Sequence, residues 1–230
     1  MPIFQLGSEG IFPPVHLASK SGLLAVGGDL SSGRLLNAYR LGIFPWYSEG
    51  DPVLWWSPDP RFVIFPEELR ISKSMIKVLK RDVFKITFDH DFLGVISACQ
   101  KPRLKQDGTW ITEEMLEAYH ALHLMGFAHS AEVWHEEKLV GGIYGISLGR
   151  CFFGESMFSI MSNASKAGLI HLVNRLKDLN FKLLDCQIYS RHIESFGARM
   201  ITREEFSRVL EDALKYDTIQ GNWRYMQEFN

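Results

Sequence analysis

The chain has little that would tie it to a metal, a nucleotide cofactor or a membrane. Its three cysteines, Cys99, Cys151 and Cys186, are an odd number without C-x-x-C spacing, which argues against a disulfide framework and a cysteine-based zinc site. Neither G-x-x-x-x-G-K-S/T nor G-x-G-x-x-G occurs, so the glycine loops that cradle a nucleoside triphosphate or a dinucleotide are missing. No stretch approaches the roughly 18 consecutive apolar residues of a membrane span, and the N-terminus lacks a basic run followed by an apolar one. The expectation is a cytoplasmic protein with no metal and no cofactor. Repeats and low-complexity tracts are also absent.

What is present is enough for a folded core: 230 residues, 46% hydrophobic and 13% aromatic. The net charge of -2 conceals a dipolar distribution. Between Arg70 and Lys105 nine basic residues face three acids, so this segment is positive and the remainder of the chain negative. Ser72 can cap a helix that carries Lys73, Lys77, Lys80 and Arg81 on one face and Met75, Val78 and Leu79 on another. With the loop Lys101, Arg103 and Lys105, that stripe suits the phosphates of a nucleic acid, gripped for position rather than read for sequence.

Residues 22–61, dense in Gly, Pro and Trp around a short helical pattern at Leu35, Leu36 and Tyr39, read as a small irregular lobe. We place a small N-terminal domain at 1–62 and a larger one at 63–230. In the second, alternation predicts a strand over 83–89, then helices over 91–100 and from Thr112, and then three antiparallel strands over 129–135, 139–147 and 151–158. A helix over 164–179, a buried strand over 182–189 and helical sequence from Arg191 follow, with a capping box at Thr202 and Glu205. The expected class is mixed α+β with a mostly antiparallel sheet.

Several patterns invite a functional reading. Gly145, Ser147 and Gly149 match G-x-S-x-G, but a nucleophile elbow needs a helix after it and a turn and strand follow here, so the match reads as chance. His120 and His123, three apart on a helix, have no third ligand converging on them and read as ordinary histidines. In the strand at 182–189, Asp185 and Gln187 share a face, as a reactive pair or as a closed structural hydrogen-bond network. Glu155 lies in an otherwise apolar strand and needs a partner, either a cationic substrate group or an arginine of the protein. Trp46, Trp55, Trp56 and Trp110 include candidates for base stacking, although each taken singly fits a core as well.

The blocks LLAVGGDLS, LLNAYRLGIFPWYSEGDPVLWWSPDPR, GTWIT, GGIYG, GESMFS, NASK and LLDCQI are similar in order and spacing to those of the leucyl/phenylalanyl-tRNA–protein transferase family, over nearly the whole chain. The resemblance implies a small N-terminal domain on a GNAT-like acyltransferase domain whose sheet splays between the strands at 151–158 and 182–189. It implies transfer of Leu or Phe, and Met less well, from aminoacyl-tRNA to the N-terminal Arg or Lys of an acceptor protein, which is thereby marked for degradation. On the family pattern Asp185 and Gln187 are catalytic. Tyr39, Trp46 and Trp110 receive the aminoacyl-adenosine, and Ile143, Phe152, Leu169, Leu172 and Leu184 line the side-chain pocket. Glu155 faces the acceptor's basic residue. Ile160 stands where relatives are expected to carry arginine, and Leu172 where an aromatic is expected, which bears on the choice between Leu and Phe.

An acetyltransferase using acetyl-CoA is the competing enzyme reading. Against it, the helix near Asn163 lacks the Q/R-x-x-G-x-G/A loop for the coenzyme's pyrophosphate. A non-enzymatic tRNA-binding module would leave Asp185, Gln187 and Glu155 without a role.

Overall fold

The computed structural model describes residues 3–7, 9–101 and 111–226. A small sheet is formed by β1 (Phe4–Leu6), β2 (Leu23–Gly27), β3 (Phe44–Pro45) and β4 (Leu54–Trp56), in the order β1-β2-β4-β3. Helix α1 (Ser32–Arg40) lies between β2 and β3 and buries Leu35, Ala38 and Tyr39. The lobe is therefore regular where its Gly, Pro and Trp content suggested irregularity, because short strands leave too few residues for alternation to register.

The large sheet begins earlier than the sequence suggested. Strand β5 (Arg61–Ile64) belongs to it, so Arg61 and Phe62 sit in the second sheet. The other members are β6 (Lys85–Phe88), β7 (Ala128–His135), β8 (Lys138–Leu148), β9 (Cys151–Ser159), β10 (Leu183–Gln187) and β11 (Arg199–Ile201), in the order β11-β5-β10-β9-β8-β7-β6. All neighbours are antiparallel except β9 and β10. The fold is mixed α+β.

The helices follow their caps. Ser72, Asp91, Thr112 and Thr202 accept the backbone N–H three residues on, opening α2 (Lys73–Lys80), α3 (Phe92–Gln100), α4 (Glu113–Leu124) and α7 (Arg203–Ala213). Helix α5 (Ala164–Asp178) buries Leu169, Leu172, Val173 and Leu176 on one face of the sheet. Each such side chain contributes about 1.5–3 kcal/mol relative to exposure. Beyond Arg191 the sequence gives a single helical turn, α6 (Arg191–Glu194), before β11. On the other face α3 and α4 supply Val95, Ile96, Met115 and Tyr119 to a core that runs without interruption into Leu24, Leu35 and Trp55 of the small sheet. Among the described residues no helix is long and apolar enough to cross a membrane.

Candidate active site

Strands β9 and β10 pair for three residues only, Leu183 with Cys151, Leu184 with Phe152 and Asp185 with Phe153. Beyond that point β9 continues to Ser159 while β10 bends away. The bend has a local cause. The register of β10 against β5 shifts between Asp185 and Gln187, and Gln187 adopts φ 64°, a left-handed conformation few residues other than glycine take readily. Its N–H turns back to Asp185 Oδ1 at 2.9 Å. A cavity of about 500 Å3 opens where the strands part.

One wall of the cavity is apolar, with Ile143, Leu169, Leu184, Met157 and Ile193. The polar lining residues include Glu155, Ser156 and Gln187. Phe44, Pro45 and Trp46 of the small lobe close a third side. Trp46 is 39% exposed and packs against Trp56 with ring centroids 5.8 Å apart, while Trp56 Nε1 donates to the Trp46 carbonyl oxygen at 2.6 Å. The Trp46 indole is thus partly exposed in the lining and braced by Trp56.

The polar lining rests on two carboxylates with different partners, Asp185 fully buried and Glu155 half-buried. Asp185, with no exposed surface, receives Arg61 Nε at 2.9 Å and Nη2 at 2.7 Å in a bidentate pair. The same guanidinium lies 4.8 Å from the Phe44 ring and 4.6 Å from the Phe206 ring. Gly42, at φ 72°, lets the lobe approach this closely, since a Cβ there would stand 2.7 Å from Phe206. Among the described residues no arginine pairs with Glu155. Its Oε1 lies 2.7 Å from Tyr39 Oη and receives Gln187 Nε2 at 2.9 Å, and its Oε2 lies 2.9 Å from Tyr119 Oη. Burial raises its pKa to about 7. Burial, reinforced by Glu155, also drives both phenols well above their ordinary range.

Ile143, Leu169, Leu184, Gln187, Glu155 and Trp46 thus meet in one cleft. Other expected members stand apart. Phe152 and Leu172 are buried in the same core cluster as Leu169 and Leu184 but are not among the residues lining the cleft. Tyr39 has no exposed face for an adenine to stack on, because its ring packs in the core and its hydroxyl is taken by Glu155 and Tyr119. Asp185 has no surface in the cleft and reaches it through Gln187. Trp110, Arg103 and Lys105 lie outside the described residues. Lys73, Lys77, Lys80, Arg81 and Lys101 are all exposed, the first four along or just beyond α2. Ile160 is 76% exposed and offers no polar contact.

Two supports escaped the sequence reading. Arg61 opens the apolar run RFVIF, and a charge in that setting calls for a buried acid. Tyr119 has the helical spacing of a core residue, and nothing local announces that its hydroxyl has a target. The other motifs are absorbed structurally. Ser147 is buried inside β8, and His123 uses Nδ1 on the Ala128 carbonyl at 2.8 Å while stacking on Phe92 at 4.3 Å.

A cleft that joins an apolar wall for a side chain, an exposed indole and a hydrogen-bonded carboxyl and amide fits a group-transferring enzyme whose substrate is apolar at one end and polar where it reacts. The chain belongs to the leucyl/phenylalanyl-tRNA–protein transferase family. Residues 63–211 match the family described as leucyl/phenylalanyl-tRNA protein transferase, and residues 28–59 match the N-terminal domain described for the same enzyme. The leucyl/phenylalanyl-tRNA–protein transferase of Syntrophus aciditrophicus is 58% identical over 97% of this chain and 94% of its own length. That of Nitrosospira multiformis is 52% identical over 97% of each. Among solved structures, L-PGS from Bacillus licheniformis is similar with a TM-score of 0.42 and 12% identity, covering 73% of this chain and 54% of that one, too distant to bear on mechanism.

Proposed function

We propose that the protein transfers leucine or phenylalanine, and methionine less well, from aminoacyl-tRNA to the α-amine of a protein beginning with Arg or Lys, marking it for degradation in the cytoplasm. The observation that carries this reading is the juxtaposition in one cleft of the Ile143, Leu169 and Leu184 wall with the Gln187 amide. Apolar burial selects Leu and Phe strongly against polar side chains and weakly against Met. The opening of a mostly antiparallel sheet between β9 and β10 supports a GNAT-like arrangement in which the aminoacyl end of the donor enters where an acyl group would.

The acyl carbon exchanges its ribose oxygen for the acceptor nitrogen, so an ester C–O bond breaks, an amide C–N bond forms, and the amine's proton ends on the departing ribose oxygen. An α-amine titrates at about 7.7–8.0, so a useful fraction is neutral near pH 7 and needs orientation more than deprotonation. Gln187 donates Nε2 to Glu155, which leaves its carbonyl oxygen to accept from that amine. Asp185 acts as a positioning residue, with Arg61 fixing its carboxylate and its carboxylate fixing the backbone of Gln187. The exposed stripe on α2 supports a grip on tRNA phosphates.

The test mixes the protein with leucyl-tRNA and a peptide beginning with Arg, and reads by mass spectrometry whether the peptide gains one leucine. Gain that disappears with an N-terminal Ala is expected, and no gain with any charged tRNA overturns the proposal. In the same assay Asp185→Asn and Gln187→Ala should each lower turnover more than they weaken tRNA binding, and unchanged turnover in either removes that residue from the scheme.

A further inference from the structure

Three oxygen–oxygen contacts form a ring around Glu155. Tyr39 Oη lies 2.5 Å from Tyr119 Oη and 2.7 Å from Glu155 Oε1, and Tyr119 Oη lies 2.9 Å from Glu155 Oε2. Each contact at such a distance needs one proton between its oxygens, because two lone pairs facing one another at hydrogen-bond distance repel. The two phenols supply two protons. Gln187 brings its own proton to a fourth contact, at Oε1, and adds none to the ring. The third ring proton has one remaining source, the carboxyl group itself.

Its position follows from the acceptors. Oε1 receives Gln187 Nε2, a role the carbonyl oxygen of a carboxylic acid fills better than its hydroxyl. The proton is therefore on Oε2, which donates to Tyr119. Tyr119 donates to Tyr39, and Tyr39 donates to Oε1. The groups facing Glu155 are Tyr39 from α1, Tyr119 from α4 and Gln187 from β10, with Asp185 beyond it already matched by Arg61 of β5. Among the described residues no cation forms an ion pair with Glu155. A desolvated, half-buried carboxyl whose hydrogen-bond partners are all neutral, with one acid beyond them, keeps its proton, and its raised pKa has the same cause.

We propose that Glu155 works un-ionised, as a carboxylic acid closed into a hydroxyl ring with Tyr39 and Tyr119, and that the ring is a positioning device. It holds an acceptor-only oxygen against Gln187 and so keeps the Gln187 amide nitrogen inward and its carbonyl outward. The proposal displaces the expectation that Glu155 offers a negative charge to the acceptor's Arg or Lys. Tyr119 becomes a positioning residue of the site. The link from Gln187 to turnover rests on the aminoacyl-transfer reading, whereas the protonation state does not.

The experiment is therefore done in two arms. Infrared spectra of the free protein at pH 6 should contain the C=O stretch of an un-ionised carboxyl that is missing from Glu155→Gln. Identical spectra in that region would overturn the proposal whatever the enzyme does with tRNA. If Glu155→Gln does not fold, carbon-13 labelling of glutamate and titration of the parent protein through pH 7 follows the same band. In the transfer assay an amide can reproduce the ring, with its carbonyl toward Tyr39 and its NH2 toward Tyr119. Glu155→Gln should then lower turnover at pH 6 by about tenfold or less and Glu155→Ala by about a hundredfold or more, with similar tRNA binding. Equal losses in the two variants would overturn the positioning role, and a failure of all transfer would count against the aminoacyl-transfer reading while leaving the infrared result standing.

Discussion

Replacing Asp185 by Asn should unfold the protein more readily as well as slow it, and the two effects can be separated. Arg61 is 1% exposed and Asp185 is fully buried, joined by bonds of 2.9 and 2.7 Å. Asn is almost the same shape, but it carries no charge and turns either an NH2 or a lone oxygen toward a guanidinium that needs two acceptors. Removing one member of a buried pair costs about 3–5 kcal/mol, since the other charge stays behind without a partner. The Phe44 and Phe206 rings retain some attraction for Arg61, so the lower half of that range is expected. For a chain of this size about 3 kcal/mol corresponds to a fall in Tm of roughly 6–12 °C. Urea unfolding followed by tryptophan fluorescence measures it directly, and the double variant Arg61→Met, Asp185→Leu should recover part of the loss because no stranded charge remains. A loss below about 1 kcal/mol in Asp185→Asn, or a double variant worse than the two single losses added, would refute the account of this pair as a desolvated charge couple.

Two further outcomes are expected. If α2 grips phosphates, replacing Lys77 and Lys80 by Ala should reduce the slope of log Kd against log salt by about 1 for each charge removed, and an unchanged slope would return the stripe to ordinary solvated surface. Asp89, buried at φ 52°, accepts from Ser130 N at 2.8 Å, His129 Nδ1 at 2.8 Å and Trp223 N at 2.7 Å, so it ties the C-terminal segment to β7. Asn tolerates that backbone conformation, and Asp89→Asn should lose about 2–3 kcal/mol and speed proteolysis beyond Ala213, with an unchanged cleavage rate counting against the tie.

Short-range rules carried much of the reading. The caps at Ser72, Asp91, Thr112 and Thr202 set helix starts because a cap and the N–H it satisfies are three residues apart. Strand alternation found β7, β8 and β9 because hairpin partners are sequence neighbours. It missed β5 and β11, short strands whose partners lie far along the chain. The site was legible as a set of residue types and illegible as a set of pairs. Asp185 and Glu155 both demanded partners, but Arg61 stands 124 residues from the first, and Tyr39 stands 116 residues from the second. No periodicity links such separations. Phe152 and Leu172 lie outside the cleft lining for the same kind of reason, since a pattern tells which face of an element is apolar and not which of its residues reach a cavity.

The guanidinium of Arg61, in contact with Phe44 and Phe206 and clasping Asp185, joins four elements, two from the first third of the chain and two from its last fifth. A keystone of this kind ties the stiffness of the site to assembly of the whole molecule. The charge couple is made inside the large sheet, between the neighbours β5 and β10, but it is walled off by Phe44 of the small lobe and Phe206 of α7, so the strand that carries Gln187 gains its final rigidity only when both lie against it.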